Sequence, residues 1–81
     1  MKRVAVDSST IASIGYDPKR RELEVEFRDS GDVYRYFDVS PVEYADFMAA
    51  DSKGSYLNQV FKYRAHHFFV VKEGSRLASN R

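Results

Sequence analysis

The chain has 81 residues, no cysteine, and a formal net charge of +1. Without cysteine it has no disulfide framework, thiolate metal site or thiol nucleophile. No apolar run approaches the roughly 20 residues of a membrane span, and no secretory core follows Met1-Lys2-Arg3. The expectation is a single soluble, cytoplasmic domain with no membrane partner, its core filled out by six Phe and six Tyr.

The first strand signal is the β-rich run Ile11 to Tyr16. It ends in Asp17-Pro18-Lys19-Arg20, where Asp and Pro suit the first two positions of a type I turn. Leu23 to Phe27 then alternates strictly, with Leu23, Val25 and Phe27 on one face and Glu24 and Glu26 on the other. Asp29-Ser30-Gly31-Asp32 is a second turn signal, and Val33 to Val39 a third strand. A loop centred on Ser30-Gly31 pairs Phe27 with Tyr34, Val25 with Tyr36 and Glu26 with Arg35. This register sets apolar against aromatic and acid against base, and it turns Tyr34 and Tyr36 toward the core. A bulge would reverse the parity and turn both tyrosines outward.

Ser40-Pro41-Val42-Glu43 is a capping box with Pro at the first helical position. Tyr44, Phe47 and Met48 recur at helical spacing, and the helix should stop near Asp51, before Ser52-Lys53-Gly54. A second helix follows, with Tyr56, Leu57, Val60 and Phe61 as its apolar stripe. Phe68 to Val71 is short and β-prone, and either adds a fourth strand or packs beneath the sheet. Gly74 to Arg81 reads as a frayed end. The expected fold is α+β, an antiparallel three-stranded meander with room for a fourth strand, packed against two short helices. Residues 1–73 form the domain and 74–81 a flexible C-terminal tail.

Charge is unevenly spread. Residues 1–40 carry seven Lys/Arg against eight Asp/Glu, and residues 41–51 carry three acids and no cation. Residues 52–81 carry six Lys/Arg against Glu73 alone, the bias expected of a surface that meets a polyanion; its plain alternative is a solvated surface and tail. Ser52, Lys53, Gly54 and Ser55 gather hydroxyls, a cation and backbone N–H groups at one helix start. Lys62 and Arg64 extend the positive track, so these six residues are the candidate phosphate contacts. The competing reading is a helix corner in which Ser52 or Ser55 caps and Gly54 turns the chain. Tyr34 and Tyr36 are either base-stacking rings or core residues. Asn58 hydrogen-bonds the corner or reads a base edge, with a structural bond expected. His66 and His67 lack a third ligand at useful spacing, so no metal or cofactor is expected. Nothing orients Ser8, Ser9 or Thr10 as a nucleophile, and no carboxylate pair shows the contrasting environments that acid–base catalysis needs. No enzymatic activity is expected.

An ordered set of segments resembles a known family. Ile14-Gly15-Tyr16-Asp17 is followed by Leu23, Val25 and Phe27, then Tyr34, Tyr36 and Val39, then Ser52-Lys53-Gly54 and Asn58. This set, spanning roughly residues 6 to 71, is similar to the KTSC domain, named for the C-terminal region of some lysyl-tRNA synthetases. The resemblance implies a small domain of unknown function with a suggested role in RNA binding. Together with the charge pattern it leads to the expectation of a non-catalytic, monomeric module for structured or transfer RNA. The alternative is an adaptor for a protein partner that uses a strand edge or exposed aromatics such as Phe37 or Phe69.

Overall fold

A computed structural model describes residues 1–72. The tail expected over residues 74–81 lies outside the described residues. The elements are β1 (Val4–Ala5), β2 (Ile11–Asp17), β3 (Glu22–Phe27), β4 (Val33–Tyr36), α1 (Pro41–Ala49), α2 (Lys53–Gln59), a 3-10 turn (Phe61–Arg64) and β5 (Phe68–Lys72). The strands form one antiparallel sheet in the order β1-β2-β3-β4-β5, with the helical segment inserted between β4 and β5. The fold is α+β as expected, but the sheet has five strands rather than three or four. The unexpected one is β1, only two residues long and too short to show alternation.

Hairpin turns set the register. Asp17 Oδ1 accepts from Lys19 N and Arg20 N at 3.0 and 3.3 Å, and Arg21 takes a left-handed φ of 55° to return the chain into β3. In the next turn Phe27 N donates to Asp32 O and Gly31 N to Phe27 O, with Gly31 at φ 78°, a conformation glycine adopts at no steric cost. These bonds centre the loop one residue earlier than the sequence suggested. Val25 therefore pairs with Tyr34, Leu23 with Tyr36 and Glu24 with Arg35, a shift of two residues from the expected register. A two-residue slip keeps parity, so Tyr34 and Tyr36 share the Leu23/Val25 face, as expected.

The shift changes which carboxylate meets Arg35. Glu24 is only 2% exposed although it lies on the face away from the helices. Arg3 Nη1 donates to Oε1 at 2.9 Å and Arg35 Nε to Oε2 at 2.9 Å. Burial by itself raises the Glu24 carboxyl, but the hydrogen bonds from Arg35 and Arg3 outweigh it and hold the group below its usual value. Arg3 also donates to Ser13 Oγ, which donates on to Glu26. Gly15 makes room for this clamp, because a Cβ there would stand 2.7 Å from Lys2 O and 2.9 Å from Arg3 Cγ.

On the opposite face Ile11, Ile14, Leu23, Val25, Val39, Phe47, Leu57 and Phe61 make the core. The capping box of α1 is complete: Ser40 Oγ accepts from Glu43 N at 3.1 Å and Glu43 Oε1 accepts from Ser40 N at 3.2 Å. Tyr16 ties α1 to the sheet by donating to Val39 O at 2.6 Å and stacking on Tyr44 at 4.4 Å. The second oxygen of Glu43 accepts from His66 Nε2 at 2.8 Å and pairs with Arg64 at 3.2 Å. His66 Nδ1 lies 2.9 Å from Phe37 O. Each ring nitrogen of His66 thus has an oxygen within hydrogen-bond distance. Burial raises the Glu43 carboxyl, but bonds from His66, Ser40 N and Arg64 bring it below its usual value.

Both carboxylates are therefore held in the folded state below the ordinary glutamate value. Their stabilisation is full above that pH and is lost as pH falls through the folded values. Acid titration of stability should show a loss beginning below about pH 4.5, and Glu24→Gln and Glu43→Gln should each flatten it while lowering stability at neutral pH. A flat profile in the wild type would contradict the two clamps. A second expectation concerns Gly54, where a Cβ would meet Thr10 Oγ1 at 2.8 Å and Thr10 Cβ at 3.1 Å. Thr10 N donates to Ser8 Oγ and Thr10 O accepts from Arg28 N, so its Cβ cannot retreat. Overpacking typically costs about 1–3 kcal/mol, against a helix gain of up to ~1 kcal/mol for Ala over Gly. Denaturant unfolding of Gly54→Ala should show a net loss, partly recovered by adding Thr10→Ala.

Candidate nucleic-acid interface

The two helices are short; Phe47, Leu57 and Phe61 of the helical segment share the core with Ile14, Leu23 and Val25, while β5 stays exposed along its length. A cleft of about 300 Å³ remains between the sheet and the α2–turn segment. Its sheet side is formed by Phe27, Tyr34, Tyr36 and Phe68, and its helical side by Leu57 and Phe61. The rings brace one another: Tyr34 stacks on Phe68 at 5.1 Å, Tyr36 meets Phe61 edge-on at 5.0 Å, and Phe27 meets Tyr34 edge-on at 5.2 Å. Phe61 in turn stacks on His66 at 4.7 Å, so the Glu43–His66 clamp backs the helical wall of the cleft. Tyr34 and Tyr36 are half-buried: they contribute to packing and also line an opening. Burial, then the neighbouring Tyr34, push the Tyr36 hydroxyl up to about 12, so it stays protonated and able to donate at neutral pH.

Asn58 and Lys62 stand at the mouth of this cleft, both exposed. Neither makes a side-chain hydrogen bond or ion pair with another described residue. The structural bond expected of Asn58 is therefore not found. Asn58 also lines the adjoining groove over Ser52, Lys53, Gly54 and Ser55, and so links that corner to the aromatic cleft.

At the corner itself, Ser52 is the N-cap of α2: its Oγ accepts from Ser55 N at 3.2 Å and donates to Ser55 Oγ at 3.0 Å. Lys53 Nζ donates to Ala50 O at 3.3 Å, and Gly54 is buried against Thr10. Asp7 and Asp51 line the same groove, so a phosphate there meets two carboxylates besides Lys53. Arg64 is held by Glu43. Lys62 thus differs from the other candidate cations in being uncommitted. Between Ser52 and Lys72 the chain carries Lys53, Lys62, Arg64 and Lys72 and no acidic residue.

One further feature lay outside the sites read from the sequence, and a second gives the geometry of the aromatics named for a protein partner. The cleft wall of Phe27, Phe61 and Phe68 comes from segments far apart in the chain, and no local pattern brings them together. The outer face of β4–β5 carries Phe37 stacked on Phe69 at 5.4 Å, with the Arg35 guanidinium 5.6 Å from the Phe69 ring. Among the described residues no group of His, Asp or Glu is arranged to hold a metal ion, and no helix is long and apolar enough to cross a membrane.

Residues 7–64 match the KTSC domain. An uncharacterized protein of Stutzerimonas stutzeri is 48% identical over 71 residues, covering 88% of this chain and 99% of that protein. A lysine–tRNA ligase of Nostoc punctiforme is 41% identical over 56 residues, 69% of this chain but 10% of the ligase. The crystal structure of a KTSC domain protein from Yersinia pestis superposes with a TM-score of 0.80 at 39% identity, covering 88% of this chain and 97% of that one. The same unit thus occurs nearly alone in one relative and as a small part of a synthetase in another. By sequence and by fold, the chain belongs to the KTSC domain family.

Proposed function

We propose that this domain is a non-catalytic RNA-binding module whose contact surface is the α2–β5 end. One observation carries this reading: an aromatic cleft opens beside uncommitted Lys62, in a stretch from Ser52 to Lys72 that contains cations and no acid. Aromatic surfaces joined to a positive groove are how single-stranded segments of RNA are held. Lys62 serves as the principal phosphate contact, with Lys53 and Arg64 flanking it. The match to part of a lysine–tRNA ligase supports a transfer or other structured RNA as partner. The face of β3 bearing Glu24 and Glu26 is the less suitable one, since both arginines beside Glu24 are committed to it.

A second reading has its own observation. Phe68, Phe69, Val70 and Val71 form the edge strand and remain 52%, 46%, 43% and 40% exposed. An apolar edge of this kind invites pairing with another extended chain, and so suits an adaptor for a protein partner.

Salt separates the two. Titration with transfer RNA should give binding that weakens steeply between low and moderate salt. Lys62→Ala should weaken it further and reduce the salt slope by about one. Binding that is insensitive to salt and to Lys62, but lost with Phe69→Ala, would support the protein partner instead.

A further inference from the structure

We infer that the aromatic cleft receives a single unpaired base, with Asn58 facing the base edge and Lys62 the adjoining phosphate; this rests on the RNA reading above and narrows it. Size is the first argument. A cleft of about 300 Å³ lies at the lower end of ligand pockets, room for one ring system and not for a helical stem. In an A-form stem the bases are stacked and their faces are closed to protein side chains, whereas loops and ends offer them.

Chemistry is the second. The sheet side of the cleft is walled by the rings of Tyr34, Tyr36 and Phe68, whereas Phe61 on the other side is buried with its faces on His66 and Phe47. The part-exposed rings of the sheet side accept any base by its π-face. Asn58 supplies what those walls lack. Its amide has two donors and one acceptor group, the combination that pairs with a base edge. It is exposed at the cleft mouth and bonded to no described residue. Asn is a mediocre helix former, and no structural bond accounts for its place on α2.

Charge gives direction. Lys62 stands at the mouth of the cleft. A phosphate chain attached to a base in the cleft is drawn toward Lys62. The ligand is therefore a base within a loop or end whose backbone passes Lys62.

The test compares three probes at one salt concentration: a short mixed-sequence single-stranded RNA, the same strand in a duplex, and the same backbone with abasic sites in place of the bases. The single strand should bind about tenfold tighter than the other two. Phe68→Ala should abolish that preference while leaving the salt slope intact, because Phe68 is half exposed and touches no phosphate in this arrangement. Asn58→Ala, an exposed and helix-favouring change, should reduce discrimination among homopolymer strands without loss of folding. Salt-dependent binding that is equal for all three probes would overturn the base-binding cleft and leave the RNA-binding module standing. No binding to any probe at low salt would overturn both. A preference for the single strand that survives both Phe68→Ala and Asn58→Ala would also overturn the assignment of the cleft.

Discussion

One carboxylate holds the helical insert onto the sheet. Glu43 closes the capping box of α1 with one oxygen and receives His66 and Arg64 with the other. His66 then bridges to the Phe37 carbonyl at the end of β4. The insert leaves the sheet after β4 and returns at β5, so this network fastens its beginning to its end. With both ends held, Phe61 is pressed between His66 and Phe47, and the helical wall of the cleft is placed opposite Tyr36. Loss of the network would release the wall on which the proposed site depends.

The outer face follows a similar logic with different parts. Glu24 is buried without a helix above it because Arg3 and Arg35 lie over it from two sides. Their stems cover the carboxylate and their guanidinium groups neutralise it. A buried carboxylate is tolerable only when paired and hydrogen-bonded in this way. Gly15 is part of the device, since any side chain there would collide with Lys2 and Arg3. The short strand β1 is thereby tied to the sheet through the side chain that precedes it.

The cleft is a consequence of size. Two helices of nine and seven residues cannot cover a five-stranded sheet, so its β5 side is left to aromatic side chains that are only half buried. Tyr56 shows the opposite outcome. Its ring stacks on Phe47, and its hydroxyl is buried with no hydrogen-bond partner among the described residues. That hydroxyl weakens packing where the aromatic body strengthens it.

Local chemistry made much of the fold legible. The capping box at Ser40, the alternation of Leu23, Val25 and Phe27 and the turn at Asp17 act through neighbours in the chain, so residue type alone announces them. The facing of Tyr34 and Tyr36 was legible for the same reason, because side-chain parity survives a two-residue slip. The exact register was not, since Phe27, Gly31 and Asp32 chose a loop centre that no propensity distinguishes from its neighbour. Nor was the role of Gly54, which is close packing against Thr10 from across the chain. The cleft belongs wholly to tertiary structure. Phe27, Tyr34, Phe61 and Phe68 meet there from four elements, and Asn58 and Lys62 come to its mouth only when the insert is fastened down. Sequence determined which segments would be strands and helices, because those preferences are local. Only packing decided which faces stayed uncovered, because exposure depends on what every other segment does.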